Sequence, residues 1–295
     1  MSVRQLRCPA PAKVNLFLHV TGRRADGYHT LETAFQLIDV GDEITLDVRE
    51  DGRIVRASEL ADVPAEQDLV VRAARLLQDR TGTRLGVDIR VDKRLPMGGG
   101  LGGGSSDAAS VMLGLNRLWG LGVSRATLQH WGLTLGADVP FFLFGRTALA
   151  GGVGEALIAV AAPAAWYVVV VPPVMVPTPK IFSAQDLTRD TEVRIMPGFA
   201  AQPVFDELAA SGQNDLQPVA CGLFPAVRAA LDDLREASDG RAMFGARMSG
   251  SGACVFAAFA QQADAEAVAG ILRSHWKVMV AQALDCHPLR DFAND

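Results

Sequence analysis

From residue 95 the chain reads LPMGGGLGGGSSDAAS, with six glycines in the seven positions from Gly98 to Gly104. No other stretch restricts the possible folds as much. Glycine leaves backbone N–H groups clear of any Cβ, so such a run can converge several of them on one anion. Residues 85–91 (LGVDIRV) read as a short strand before the loop, and residues 106–119 carry the apolar periodicity of a well-buried helix after it. Ser105 or Ser106 is placed to cap that helix, whose first turn adds unpaired N–H groups and a partial positive charge. Strand, loop and helix start together make a phosphate cradle. A flexible linker would not be flanked by an apolar strand and an apolar helix. The expected nucleotide contacts are Pro96, Met97, Gly98, Gly99, Gly100, Leu101, Gly102, Gly103, Gly104, Ser105 and Ser106.

Three nucleotide folds compete for this loop. Gly98, Gly100 and Gly103 satisfy GxGxxG, but a dinucleotide fingerprint needs a second strand ending in an acidic residue. Here residues 124–135 read as another helix, with Ser124 as N-cap and Gly136 as its stop. Gly99 and Gly104 followed by Ser105 resemble a P-loop without its lysine, so a lysine that meets the phosphates would come from elsewhere. No HRD or DFG element follows, as a protein kinase would require. Only four of the 28 basic residues are lysines: Lys13, Lys93, Lys180 and Lys277. In a chain so biased toward arginine, each lysine ranks as a candidate for work that needs a compact ammonium.

A chain of 295 residues suits two domains, and 49% hydrophobic with 21% charged residues is a globular composition. The net charge of −5 argues against nucleic acid as the partner. Cys8, Cys221, Cys254 and Cys286 form no CxxC or metal spacing, which fits free thiols in a reducing compartment. The first thirteen residues lack the apolar core of a secretory signal. Residues 156–179 are uncharged and long enough to span a bilayer, but Pro163, Pro172 and Pro173 interrupt them and WYVVVV reads as a buried strand. A cytoplasmic protein without a membrane partner is expected. Further strands are expected at 14–20, 43–49, 166–171 and 253–259, and helices at 67–79, 205–210, 224–236 and 263–273. Strand-and-turn character is expected from Phe141 through GRTALAGGVGE. The Gly-, Pro- and Ala-rich passage 151–163 is the expected junction between domains 1–157 and 158–295, in an α+β arrangement.

PMGGGLGGGSSDAA resembles the phosphate loop of the small-molecule kinase superfamily of galactokinase, homoserine kinase, mevalonate kinase and phosphomevalonate kinase. PAKVNLFLHVTGRRADGYHTLETAFQ, GADVPFF, PTPKIF and MSGSGACVFA narrow the resemblance to the branch that acts on a cytidine-diphosphate alcohol, over Pro11 to Phe259. The resemblance implies an α+β two-domain small-molecule kinase fold: an N-terminal ribosomal-protein S5-like domain, a C-terminal ferredoxin-like domain and an active site between them. It implies ATP as phosphoryl donor, Mg²⁺ as its companion, and the 2-hydroxyl of 4-(cytidine 5'-diphospho)-2-C-methyl-D-erythritol as acceptor, in non-mevalonate isoprenoid precursor synthesis. It assigns Asp138 to accepting the alcohol proton and Lys13 to a catalytic role, with Asn15 on the same side of its strand. Tyr28 and His29 are implied at the cytosine, and Thr178 and Phe182 at other substrate positions. The MSGSGAC turn resembles a superfamily motif that closes against the phosphate loop. Ser105, Ser106 and Asp138 are candidate Mg²⁺ contacts, none of them assigned. Asp107 is explained by the helix dipole, and Asn214-Asp215 fits the family without a physical role.

Overall fold

The computed structural model of the chain describes residues 4–58, 63–194 and 201–295. Two long strands, β1 (Gln5–Arg23) and β2 (His29–Arg49), pair antiparallel across the turn at Asp26-Gly27. Both extend well beyond the segments whose alternation marked them as strands. β1 is buried on both faces through its middle, Lys13 and Asn15 included, and such burial weakens the alternation that marks a half-exposed strand. Three register shifts bend β1, one of them between Asn15 and Phe17.

The chain continues through β3 (Ile54–Arg56), α1 (Leu69–Thr81), β4 (Gly86–Asp92) and α2 (Gly103–Leu118). Next come α3 (Arg125–Gly132), α4 (Val139–Phe144) and the hairpin β5 (Ala148–Gly151) and β6 (Ala156–Ala159). The second half holds β7 (Trp166–Val171), α5 (Thr178–Phe182), α6 (Ala201–Ser211), α7 (Gln217–Leu223), α8 (Pro225–Ala237), β8 (Arg247–Met248), β9 (Val255–Phe259), α9 (Gln262–Leu272) and β10 (Lys277–Leu284).

Among the described residues the sheet order is β3-β4-β2-β10-β7-β9-β8, with β1 and β5 also paired to β2. The α+β expectation therefore holds. β10, which the sequence reading missed, pairs with β7 over six residues and reaches β2 at Leu37 and Ile38. The last strand thus ties the two halves together. One core lies under α1–α4 (Leu46, Leu77, Ile89, Met112, Phe141), a second under α7–α9 (Val168, Val170, Leu231, Val268, Phe259). A third, around Phe17, Ile38, Phe205 and Phe256, fills the space between them. Among the described residues no helix is long and apolar enough to cross a membrane.

Three local expectations need correction. α2 begins at Gly103 behind a left-handed Gly102 (φ 73°) with no side-chain cap, so neither Ser105 nor Ser106 caps it. Instead the Ser106 hydroxyl donates to the Pro11 carbonyl at 2.6 Å. Ser124 does cap α3, accepting from the Thr127 amide, but that helix ends at Gly132 and the chain turns on through Gly136. Residues 141–144, expected to open a strand-and-turn region, belong instead to α4, because Pro140 sits in its first turn and Gly145 (φ 68°) closes it.

The C-terminal segment is locked against α3. The Arg125 guanidinium lies 2.5 Å from an Asp295 carboxylate oxygen and donates to the carbonyls of Leu143, Arg290 and Ala293. Beside it His287, 1% exposed, accepts from the Leu289 amide through Nδ1, and burial with the nearby Arg125 charge pushes its pKa down to about 3. An unfolded chain takes up this proton near pH 6.5, whereas the native one resists until about pH 3. Stability therefore falls as pH drops through that window, by up to about 1.4 kcal/mol per pH unit from this group. His287→Asn keeps an acceptor for Leu289 but cannot titrate. Denaturant unfolding of the variant should show a shallower loss between pH 6 and 4, and an unchanged slope would refute the assignment.

Candidate active site

The glycine loop between β4 and α2 alternates in hand: Gly98, Gly100 and Gly102 have φ of 64°, 73° and 73°. Its carbonyls are tied to the protein body. Gly99 accepts from the Cys254 amide at 3.1 Å, Gly100 from the Ser249 hydroxyl at 2.8 Å and Leu101 from the Lys13 amide at 3.0 Å. The amide face is left for the cleft, joined by the first-turn amides of Gly103, Gly104 and Ser105, which have no partner within α2. Gly100 is in close contact with the turn behind it; a Cβ there would lie 2.0 Å from the Ser249 carbonyl oxygen.

Lys13 and Asn15 project from the same side of β1 toward this loop. The Lys13 ammonium, 3% exposed, donates to Asn15 Oδ1 at 2.5 Å, lies 3.5 Å from Asp138 Oδ2 and sits 5.3 Å over the Phe35 ring. Burial pulls its pKa below the ordinary lysine value, and the Asp138 carboxylate works against that. Asn15 is held in turn by Thr33, to which its amide donates at 2.9 Å. Asp138 stands at the N-terminus of α4 but makes no capping bond, and its side chain is 33% exposed to the cleft. A carboxylate positioned this way by a lysine, and open on its other side, can take a proton from a bound hydroxyl.

Two adjoining cavities of about 550 Å³ each share Leu31, Ala137, Val153, Thr178 and Phe182. The first is lined by loop residues 96–105 together with Lys13, Asn15 and Asp138. The second is lined by Tyr28 and His29. Tyr28 is 65% exposed, while His29 stacks on Phe182 with ring centroids 5.0 Å apart. Thr178 shares a 2.7 Å hydrogen bond with Ser251. The sequence-predicted residues thus converge, with one exception. Ser106 lines neither cavity: its hydroxyl goes to Pro11 and its amide to the Gly102 carbonyl.

Several residues take roles here that the sequence did not assign them. Lys93 bridges Asp42 at 2.5 Å and Asp107 at 2.7 Å along the wall of the first cavity; burial pushes the Asp107 carboxyl above the usual carboxylate range, and the Lys93 charge works against that. The scarcity of lysine was the only signal for it. Ser249 joins loop to strand, donating to Gly100 and accepting from the Asn15 amide. Asn214-Asp215 now has a role. Asn214 donates to the carbonyls of Met248 and Gly250, and Asp215 accepts from the Val20 amide, so the pair staples the 248–252 turn to β1. Among the described residues no group of three or more His, Cys, Asp or Glu side chains could hold a metal ion alone.

The chain matches the family model described as GHMP kinases N terminal domain over residues 68–146, and that described as GHMP kinases C terminal over residues 197–278. It is 56% identical to the 4-diphosphocytidyl-2-C-methyl-D-erythritol kinase of Aromatoleum aromaticum, over 96% of this chain and 95% of the relative. A crystal structure of 4-(cytidine 5'-diphospho)-2C-methyl-D-erythritol kinase superposes with a TM-score of 0.79 at 35% identity, covering 94% of this chain and 99% of that one. A homoserine kinase from Cytophaga hutchinsonii shares the fold at 18% identity, with a TM-score of 0.67 over 97% of this chain and 96% of that one.

The loop geometry separates its glycines. Gly100→Ala forces a side chain into a left-handed site against a carbonyl and should cost at least about 2 kcal/mol of stability. Gly104→Ala meets only Leu69 Cδ1 at 3.5 Å, inside a helix, and should leave stability within about 1 kcal/mol of the parent. Thermal melts of both variants check this; equal losses would contradict the loop geometry.

Proposed function

This chain belongs to the 4-diphosphocytidyl-2-C-methyl-D-erythritol kinase family of the GHMP kinases, and we propose that it transfers the γ-phosphoryl group of ATP to the 2-hydroxyl of 4-(cytidine 5'-diphospho)-2-C-methyl-D-erythritol. The products are the 2-phosphate and ADP, in non-mevalonate isoprenoid precursor synthesis. The observation that carries the reading is the adjacency of the two cavities: one has a phosphate cradle, the other an aromatic wall, and Lys13 and Asp138 line the first beside Ala137, which lines both.

In this reading the loop amides and the start of α2 hold the donor phosphates. Tyr28 stacks on the cytosine and His29 meets its edge, while Thr178 and Phe182 line the path between the cavities. The acceptor oxygen forms its bond to the γ-phosphorus as the bond to the β,γ-bridging oxygen breaks, and Asp138 takes the hydroxyl proton. Lys13 orients Asp138 and offsets the charge gathering on the phosphoryl oxygens. Residues 1–157 supply the cradle, lysine and base; residues 158–295 supply Thr178, Phe182 and the turn behind the loop.

Mg²⁺ would neutralise phosphate charge here. Hard-cation chemistry needs few protein ligands when phosphates and water complete the shell. Ser105 and Asp138 fit that demand, since a Cβ on Gly136 would lie 3.6 Å from Ser105 Oγ, which places the hydroxyl beside the turn that carries Asp138. Use of ATP and four free cysteines fit a cytoplasmic location.

Asp138→Asn keeps the shape of the side chain and removes the base. A coupled ADP-release assay should show kcat lowered about 10²–10⁴-fold with the KM for ATP nearly unchanged. Full turnover by this variant would exclude Asp138 as the proton acceptor.

A further inference from the structure

Behind the second cavity lies Arg189, a guanidinium whose hydrogen bonds are all directed inward. Its Nε donates to His29 Nε2 at 3.2 Å. Nη1 donates to the Leu187 carbonyl at 3.0 Å, and Nη2 to the carbonyls of Phe182 at 3.1 Å and Ala184 at 2.5 Å. One side chain therefore anchors both members of the His29–Phe182 stack, one through its ring and the other through its backbone.

The consequence for His29 follows from donor and acceptor inventory. A guanidinium has only donors and keeps its proton at every working pH. His29 must therefore present the lone pair of Nε2 to it, and the single proton of the neutral ring resides on Nδ1. Among the described residues no protein group accepts from Nδ1, and His29 lines the cavity. A proton on Nε2 would break the bond and set an imidazolium against Arg189. Burial first, then the charges of Arg189 and Arg23, hold the pKa of His29 below its ordinary value, in keeping with this geometry.

We infer that Arg189 sets the base specificity of the acceptor pocket by fixing His29 as an Nδ1–H donor, so that the pocket favours a pyrimidine with a bare acceptor at N3, as in cytosine, over one that carries N3–H, as in uracil. The inference rests on the cytidine reading of the second cavity. Arg189 acts through His29 and is a positioning residue. A donor facing another donor leaves both unpaired in a partly dry pocket, which is how hydrogen-bonding sites reject near-isosteric ligands.

The test is steady-state kinetics with the cytidine diphosphate acceptor and its uridine analogue, for the parent, Arg189→Met and Arg189→Lys. The parent should prefer the cytidine compound in kcat/KM. Arg189→Met should cut the cytidine-to-uridine ratio about tenfold or more through the KM of the cytidine compound, with the KM for ATP within about twofold. Arg189→Lys returns a donor toward Nε2 and should recover part of the ratio. If Arg189→Met does not fold, Arg189→Gln, whose amide can turn either a donor or an acceptor to Nε2 and no longer forces the tautomer, should still lower the ratio. Equal losses with both acceptors would reduce Arg189 to a structural prop and overturn the inference alone, as would an unchanged ratio. A parent that turns over both acceptors equally would overturn the cytidine reading along with it.

Discussion

An ammonium with almost no exposed surface must be matched on every side, and Lys13 is matched by three different parts of the chain. Asn15 accepts from it, Asp138 faces it at 3.5 Å and the Phe35 ring lies beneath it. Asp138 opens to the cleft, so removing its charge costs less than breaking a fully buried pair, while the lysine itself stays out of water. The backbone of the same residue donates to Leu101 in the glycine loop. The position of the lysine therefore fixes that of the loop, and neither can shift alone. Ser249 repeats the link from the other side, and Asn214 pins the turn that carries Ser249.

This coupling explains why the protein keeps its donor cradle and its acceptor pocket in separate cavities with a common wall. A phosphate cradle needs backbone amides and room for charge; a base pocket needs flat apolar faces and a few directed donors. The glycine loop supplies the first, and Tyr28, His29 and Phe182 supply the second. Asp138 borders the first cavity beside Ala137, which lines both, because α4 begins at that point, with Pro140 fixing its first turn. Its lack of a capping bond leaves the carboxylate free for the acceptor. The shared elements, Thr178 and Phe182, come from α5, so both halves of the chain build the junction.

The glycine loop was legible in the sequence because its requirement is local: alternating left-handed positions and a close approach to Ser249 leave no room for other residues. Lys13 and Asp138 were not legible in that sense. On their own they are a strand lysine, ranked only by the scarcity of lysine, and a turn aspartate; the resemblance of PAKVNL and GADVPFF to a kinase family gave them their roles. Residues 141–144 of α4 were misread because a short apolar run suits either structure, although Pro140 and Gly145 carried the signal. Neither serine caps α2, since glycine already provides the turn that a cap would stabilise. Arg189 left no trace in the sequence, because three of its four acceptors are backbone carbonyls, which every residue possesses.

The identity of the phosphorylated atom is the most direct measure of the reaction. The 2-carbon of the acceptor carries a methyl group and no hydrogen, so a phosphate ester at that position has no proton three bonds from phosphorus. Phosphorus NMR of the protein with ATP, Mg²⁺ and the acceptor should show one new monoester resonance, unsplit by protons and equal in amount to the ADP formed. A resonance split by neighbouring protons, or ADP without a new ester, would contradict the transfer proposed here.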